Sequence, residues 1–159
     1  MIAPEPDILR RLLERLERLD RSAAGDLAWL GQVPADLAAF DAMESHRQSA
    51  ARAVLKSFEQ IEDQLSRVFR IVPALMGEDS GRWFARDHAD FMERLGILDA
   101  AADWSRVVKL RNQLVHDYPL EAQVQFDRLA EAIGYLPYLA ETRRRLAAFV
   151  HDVLPRKMV

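Results

Sequence analysis

The sequence predicts an all-α fold, a single domain over residues 1–159 built as an antiparallel up-and-down helical bundle with one short extra helix. Three observations carry that reading. Apolar residues recur at steps of three and four through most of the chain, the spacing that lines one face of a helix. No segment alternates apolar and polar residues with period two, so no strand is indicated. Pro73, Gly96 and Pro119 stand at the ends of periodic stretches, where they stop helices.

The first helix is expected over 7–21, where Leu9, Leu12, Leu16 and Leu19 are separated by arginines and glutamates. Gly25, Gly31 and Pro34 then mark a break, and PADLAAFDAM reads either as a short helix or as the lead-in to the next one. The strongest signal follows. Val54, Phe58, Ile61, Leu65, Val68 and Val72 repeat at 4-3-4-3-4, widened by Leu55 and Phe69, which predicts a long helix over 45–72 stopped by Pro73. GEDSG at 77–81 is a turn by composition. A short helix over 87–95 ends at Gly96, and a further helix over 99–118 starts with Asp99 as its cap and closes before Pro119. The last quarter, 121–153, contains Gly134 and Pro137 and reads as one kinked helix or two in line.

At 159 residues the chain is long enough to bury a core without covalent staples, and it has no cysteine for disulfides or thiolate metal sites. No apolar run approaches a membrane span, and MIAPEPDILRRLL becomes charged too early for a secretory signal, so the cytoplasm is the expected location. A net charge of −3 excludes a protein that coats nucleic acid through bulk positive potential; any such contact must be local.

LRNQLVHDYP, residues 110–119, holds the chemistry. On a helical wheel Trp104, Val107, Val108, Leu114, Val115 and Tyr118 form an apolar arc, and Arg111 falls near its middle. A buried guanidinium needs a carboxylate, a phosphate-sized ligand or a wet cleft. Glu62 and Asp63 on the long helix are candidate carboxylates. Asn112 and His116, four residues apart, can share a face. Arg111 and His116 lie about 140° apart on an ideal helix, so one regular helix cannot aim both at one atom. Either the last turn loosens before Pro119, or a second copy of the helix completes the site.

The set Arg111-Asn112-…-His116-Asp117-Tyr118 resembles the Arg-x4-His-x-Tyr signature of the HEPN superfamily, in particular the HepT-like ribonuclease toxins. The resemblance extends in helix order over roughly residues 45–153. A looser Arg-x4–6-His spacing recurs at Arg82/His88, Arg144/His151 and Arg145/His151. Asn112, Tyr118, Pro119 and the helix-end position single out 111–118. What the resemblance implies is a metal-independent endoribonuclease, without cofactor, working as a homodimer whose two motifs line a shared cleft. His116 would move protons, Arg111 would hold the scissile phosphate, and Asn112 would orient the imidazole or a phosphate oxygen. Tyr118 would accept AMP from a minimal nucleotidyltransferase antitoxin, silencing the toxin. A second implication from the same superfamily is a non-catalytic helical partner or substrate-binding subunit of a nucleotidyltransferase.

Each residue also has a plainer role open to it. Arg111 can pair with Glu62 or Asp63, His116 can serve the negative end of the helix dipole, and Tyr118 can pack the helix end. His46, His88 and His151 lack ligand-like spacing, and Trp83 and Trp104 are expected in the core or an interface. Arg143, Arg144 and Arg145 read as a solvated face, available for phosphate contacts if RNA binds.

Overall fold

The computed structural model of the chain describes residues 6–117 and 119–157. Its helices are α1 (Pro6–Leu30), α2 (Leu37–Asp41), α3 (Ser45–Leu75), α4 (Ala85–Arg94), α5 (Ala101–His116), α6 (Ala122–Asp152) and α7 (Leu154–Lys157), and the described residues contain no strand. The all-α bundle expected from periodicity is present. Contacts between helices give their directions. Ser57 donates to Asp26 while Arg47 donates to the Leu30 carbonyl, so α1 and α3 run antiparallel. Phe69 packs on Trp104 and Arg111 meets Glu62, so α3 and α5 do as well. Asp117 meets Arg128 at one end of the α5–α6 pair and Asp99 meets Arg145 at the other, which makes it antiparallel too. The chain therefore runs up, down, up, down.

One core of buried apolar side chains joins α1, α3, α4, α5 and α6, centred on Leu16, Phe58, Leu65, Val68, Val107 and Leu139. Burying each of these large side chains contributes about 1.5–3 kcal/mol. A smaller cluster of Leu30, Met43, Ala50, Ala51 and Leu129 closes the end where α2 lies, the same end at which α5 stops.

Several helix limits differ from the sequence reading. The first helix runs on from 21 to Leu30, because Ala23 and Leu30 continue its buried stripe and that packing outweighs the roughly 1 kcal/mol disadvantage of Gly25. Gly31, at φ 74°, is where it stops. The long helix passes Pro73 and ends at Leu75, two residues before Gly77 at φ 84°; with so little helix left, the proline removes one bond, to the Phe69 carbonyl, without breaking the long run before it. Asp99 does not cap α5. Ala100 holds that position, the Glu93 carboxylate accepts from the Ala101 N–H at 2.7 Å, and Asp99 instead takes Arg145 at 2.7 Å. The last quarter is one continuous helix through Gly134 and Pro137, both on its exposed side.

Candidate functional site

α5 remains α-helical through His116, and its C-cap Asp117 turns to extended backbone at φ −127°, ψ 108°. The last turn does not loosen. Arg111 and His116 stay on faces about 140° apart, and a single chain does not bring them onto one atom.

The buried arc of α5 is also rotated from the expected one. Trp104, Val107 and Leu110 are buried, while Val115, assigned to the apolar arc, is 45% exposed. The hydrophobic wheel weighs only residue type; the positions of α3, α4 and α6 around α5 decide which arc is covered.

Arg111 faces α3 and is partly buried. Its Nε lies 3.3 Å from Glu62 Oε2, Nη2 donates to Asp63 Oδ1 at 3.4 Å, and Nη1 donates to Asn112 Oδ1 at 3.3 Å. Nε is shut off from solvent, yet its N–H is not aligned on the Glu62 oxygen and makes no hydrogen bond. The plain role open to Arg111, pairing with both α3 carboxylates, is therefore realised, but by long contacts. Glu62 is itself almost fully buried, and burial pushes its carboxyl above the ordinary range; the Ser66 hydroxyl, donating at 2.6 Å, and Arg111 pull the other way. Burial outweighs both, and the neighbouring Asp63 carboxylate adds to the rise.

Asn112 and His116 are exposed on the regular helix, and His116 is its last helical residue, where a positive charge suits the dipole. Tyr118, the expected AMP acceptor, lies outside the described residues. Two apolar side chains are exposed here, Val115 within the motif at 45% and Leu120 just after it at 92%.

Two features of this end were not legible in the sequence. The first is Arg128 of α6, buried against the end of α5. Its Nη1 donates to the carbonyls of Asp117 at 2.8 Å and Gln113 at 3.4 Å, and its Nη2 to Asp117 Oδ2 at 2.6 Å. The Gln113 carbonyl already accepts from the Asp117 N–H at 3.0 Å, so the closer bond of Arg128, to the Asp117 carbonyl, serves the residue just past the helix end. The second is a groove of about 360 Å³ between α2, α3, α6 and the end of α5, lined among others by Phe40, Leu55, Leu114, Asp117, Pro119 and Leu129. Residues from four separate segments line it, so no local pattern announces it.

The remaining candidates fall elsewhere. Arg143 is not a solvated phosphate contact: it forms an ion pair with Asp20 that clasps α6 to α1, and Arg144 and Arg145 are held by Glu141 and Asp99. Carboxylates on neighbouring turns and helices take up these guanidiniums first. His88 is buried against Trp83, and burial lowers its basicity, opposed by the backbone of Phe69. Because residue 73 is proline, the Phe69 carbonyl has no helical donor of its own. Among the described residues no group of His, Asp or Glu converges as metal ligands, and no helix is long and apolar enough to cross a membrane.

Compared with models of known protein families, with curated proteins and with solved structures, the chain matches none.

Proposed function

We propose that this chain is a HEPN-type endoribonuclease of the HepT-like toxin class, acting on RNA as a homodimer in the cytoplasm and independently of metal. The single observation that carries the reading is the presentation of the motif. His116 is exposed at the end of a regular helix, between exposed Val115 and Leu120 in sequence, while Arg111 on another face is held by long contacts. A second copy packed on the apolar flanks would cover them and set one chain's Arg111 beside the other's His116. In that cleft the ribose 2′-hydroxyl attacks the adjacent phosphorus and the bond to the 5′-oxygen breaks. His116 takes or returns the proton, and Arg111 exchanges its carboxylate contacts for the phosphate oxygens, where charge builds. AMP placed on Tyr118 by a nucleotidyltransferase antitoxin would set an anion beside this cleft and compete with RNA.

The test is RNA cleavage by the purified chain with a chelator present. Wild type should cleave, and His116→Ala should lose at least about 10²-fold in rate. Equal rates, or none for wild type, overturn the proposal. A specific observation favours a second reading. Arg111 already has two carboxylates, as it would in a non-catalytic helical partner of a nucleotidyltransferase. Under that reading neither protein cleaves, and mass spectrometry after co-expression with a nucleotidyltransferase finds a complex.

A further inference from the structure

We propose that the outer face of α1 and α3 binds the phosphate backbone of single-stranded RNA through five arginines, Arg11, Arg15, Arg18, Arg67 and Arg70. This inference rests on the nuclease reading, and it concerns residues outside the motif. All five side chains are exposed, and none has a carboxylate at ion-pair distance among the described residues. The reason is that every carboxylate of α1 and α3 is already engaged elsewhere. On α1, Asp7 and Glu14 meet Arg10, and Glu17 meets Arg21. Asp20 is taken by Arg143, and Asp26 accepts from Ser57. On α3, Glu59 meets Lys56, while Glu62 and Asp63 meet Arg111. Five uncompensated positive charges therefore gather on two helices of a chain whose net charge is −3. Arg143, Arg144 and Arg145, by contrast, are all paired.

Helix geometry puts the five on one surface. Asp26 of α1 reaches Ser57 of α3 across the seam between the two helices. Arg15 lies on nearly the same line of α1 as Asp26, about 20° away, and Arg11 and Arg18 lie about 60° and 80° from it, away from the buried leucines. On α3, Arg67 stands about 80° outward of Ser57, and Arg70 about 140°, near the crest opposite the core. Arg15 is about 16 Å from Asp26 along α1, and Arg67 about 15 Å from Ser57 along α3. The helices run antiparallel, so these two arginines stand at one height on either side of the seam. Arg67 and Arg70 also follow Asp63 at i+4 and i+7, positions that share a face, and Asp63 accepts from Arg111 Nη2. The arginine face thus adjoins the residue proposed to hold the scissile phosphate. Guanidiniums suit phosphate oxygens, and contacts of this kind position a strand without reading its bases.

RNA carrying 2′-methoxy groups lacks the nucleophile for the proposed cleavage, so titrating a labelled single strand of it into the full chain reads binding alone. Fluorescence anisotropy should give an affinity that falls steeply as salt is raised. Arg15→Gln with Arg67→Gln and Arg70→Gln should weaken binding at least about tenfold at low salt, and should reduce the slope of log affinity on log salt by about 2, at about 0.7 per phosphate contact. Arg82→Gln with Arg94→Gln and Arg156→Gln removes the same charge from exposed positions outside α1 and α3, and should stay within about threefold of wild type. Equal losses in the two variants, or no salt-sensitive binding by wild type, overturn the proposal. So does binding to phosphatidylserine vesicles with none to RNA, which would make this a membrane face. Cleavage of unmodified RNA reads the nuclease assignment separately: binding that depends on the five arginines without cleavage removes the nuclease and keeps the backbone face, whereas cleavage with equal losses in the two variants removes the backbone face alone.

Discussion

Two arginines meet the C-terminal half of α5, and they are held in opposite ways. Arg128 comes from α6 and donates to two carbonyls and a carboxylate, with its closest contacts at 2.6 and 2.8 Å. Arg111 belongs to α5 itself and reaches two carboxylates at 3.3 and 3.4 Å, with its Nε unaligned. Strong charged hydrogen bonds of a guanidinium lie near 2.7–2.9 Å. The Nη1 and Nη2 of Arg128 are engaged by the end of α5, and moving the side chain would uncover it. Arg111 has contacts weak enough to be exchanged for a phosphate's. The difference teaches that burial of an arginine does not by itself mark function; the quality of its existing contacts does.

The largest effect that can break the comparison is on cleavage. Arg111→Ala should lower the RNA cleavage rate by about 10²–10³-fold, the usual loss when a group stabilising transition-state charge is removed, while a thermal melt shows the bundle intact. Cleavage at the wild-type rate would place Arg111 with Arg128 as a structural residue.

Next comes stability. Arg128→Ala should lower the unfolding free energy by about 2–3 kcal/mol, measured in urea. That is less than for a fully buried pair, because Asp117 is 66% exposed and solvent compensates part of the loss. A change within about 0.5 kcal/mol would deny Arg128 its capping role.

A smaller effect sharpens the Arg111 side. Burial holds the Glu62 carboxyl above its ordinary value, so the folded chain binds that proton better than the unfolded chain. The stability this contributes is complete below the unfolded value of about 4.5 and is lost as pH rises through the folded one. Urea melts over this acid range should show the loss in wild type and not in Glu62→Gln. Superimposed profiles would mean that the fold does not raise the Glu62 carboxyl, and a slope of opposite sign would mean that Arg111 neutralises it tightly.

The smallest effect comes from His88 and has the opposite sign. Its folded basicity is lowered, so stability falls as pH drops below the unfolded value of 6.5. His88→Leu should flatten the melts between pH 7 and 5, isolating the Glu62 contribution. An unchanged slope would show that folding does not lower the basicity of His88.

Much of the bundle was legible because its signals are local. Leu9, Leu12 and Leu16, and the run from Val54 to Val72, mark their buried faces by spacing alone, and all of them are buried. Gly25 misled for the same reason: a glycine is locally unfavourable in a helix, but Ala23 and Leu30 packing on the core outweigh it. At the candidate site Arg111 and its α3 carboxylates were legible, since a charge on an apolar stripe demands a partner. Arg128 and the groove were not, because their neighbours lie 11 or more residues away along the chain or on other helices.

The sequence by itself determined the helices, most of the residues each one buries, and the pairing available to Arg111, because periodicity and the penalty on unpaired buried charge act on neighbouring residues. Tertiary structure alone decided how tightly Arg111 is held, which arc of α5 is covered, and that α2, α3 and α6 line a groove with the end of α5. Contact distance and enclosure depend on the relative placement of whole helices, and no single helix carries that information.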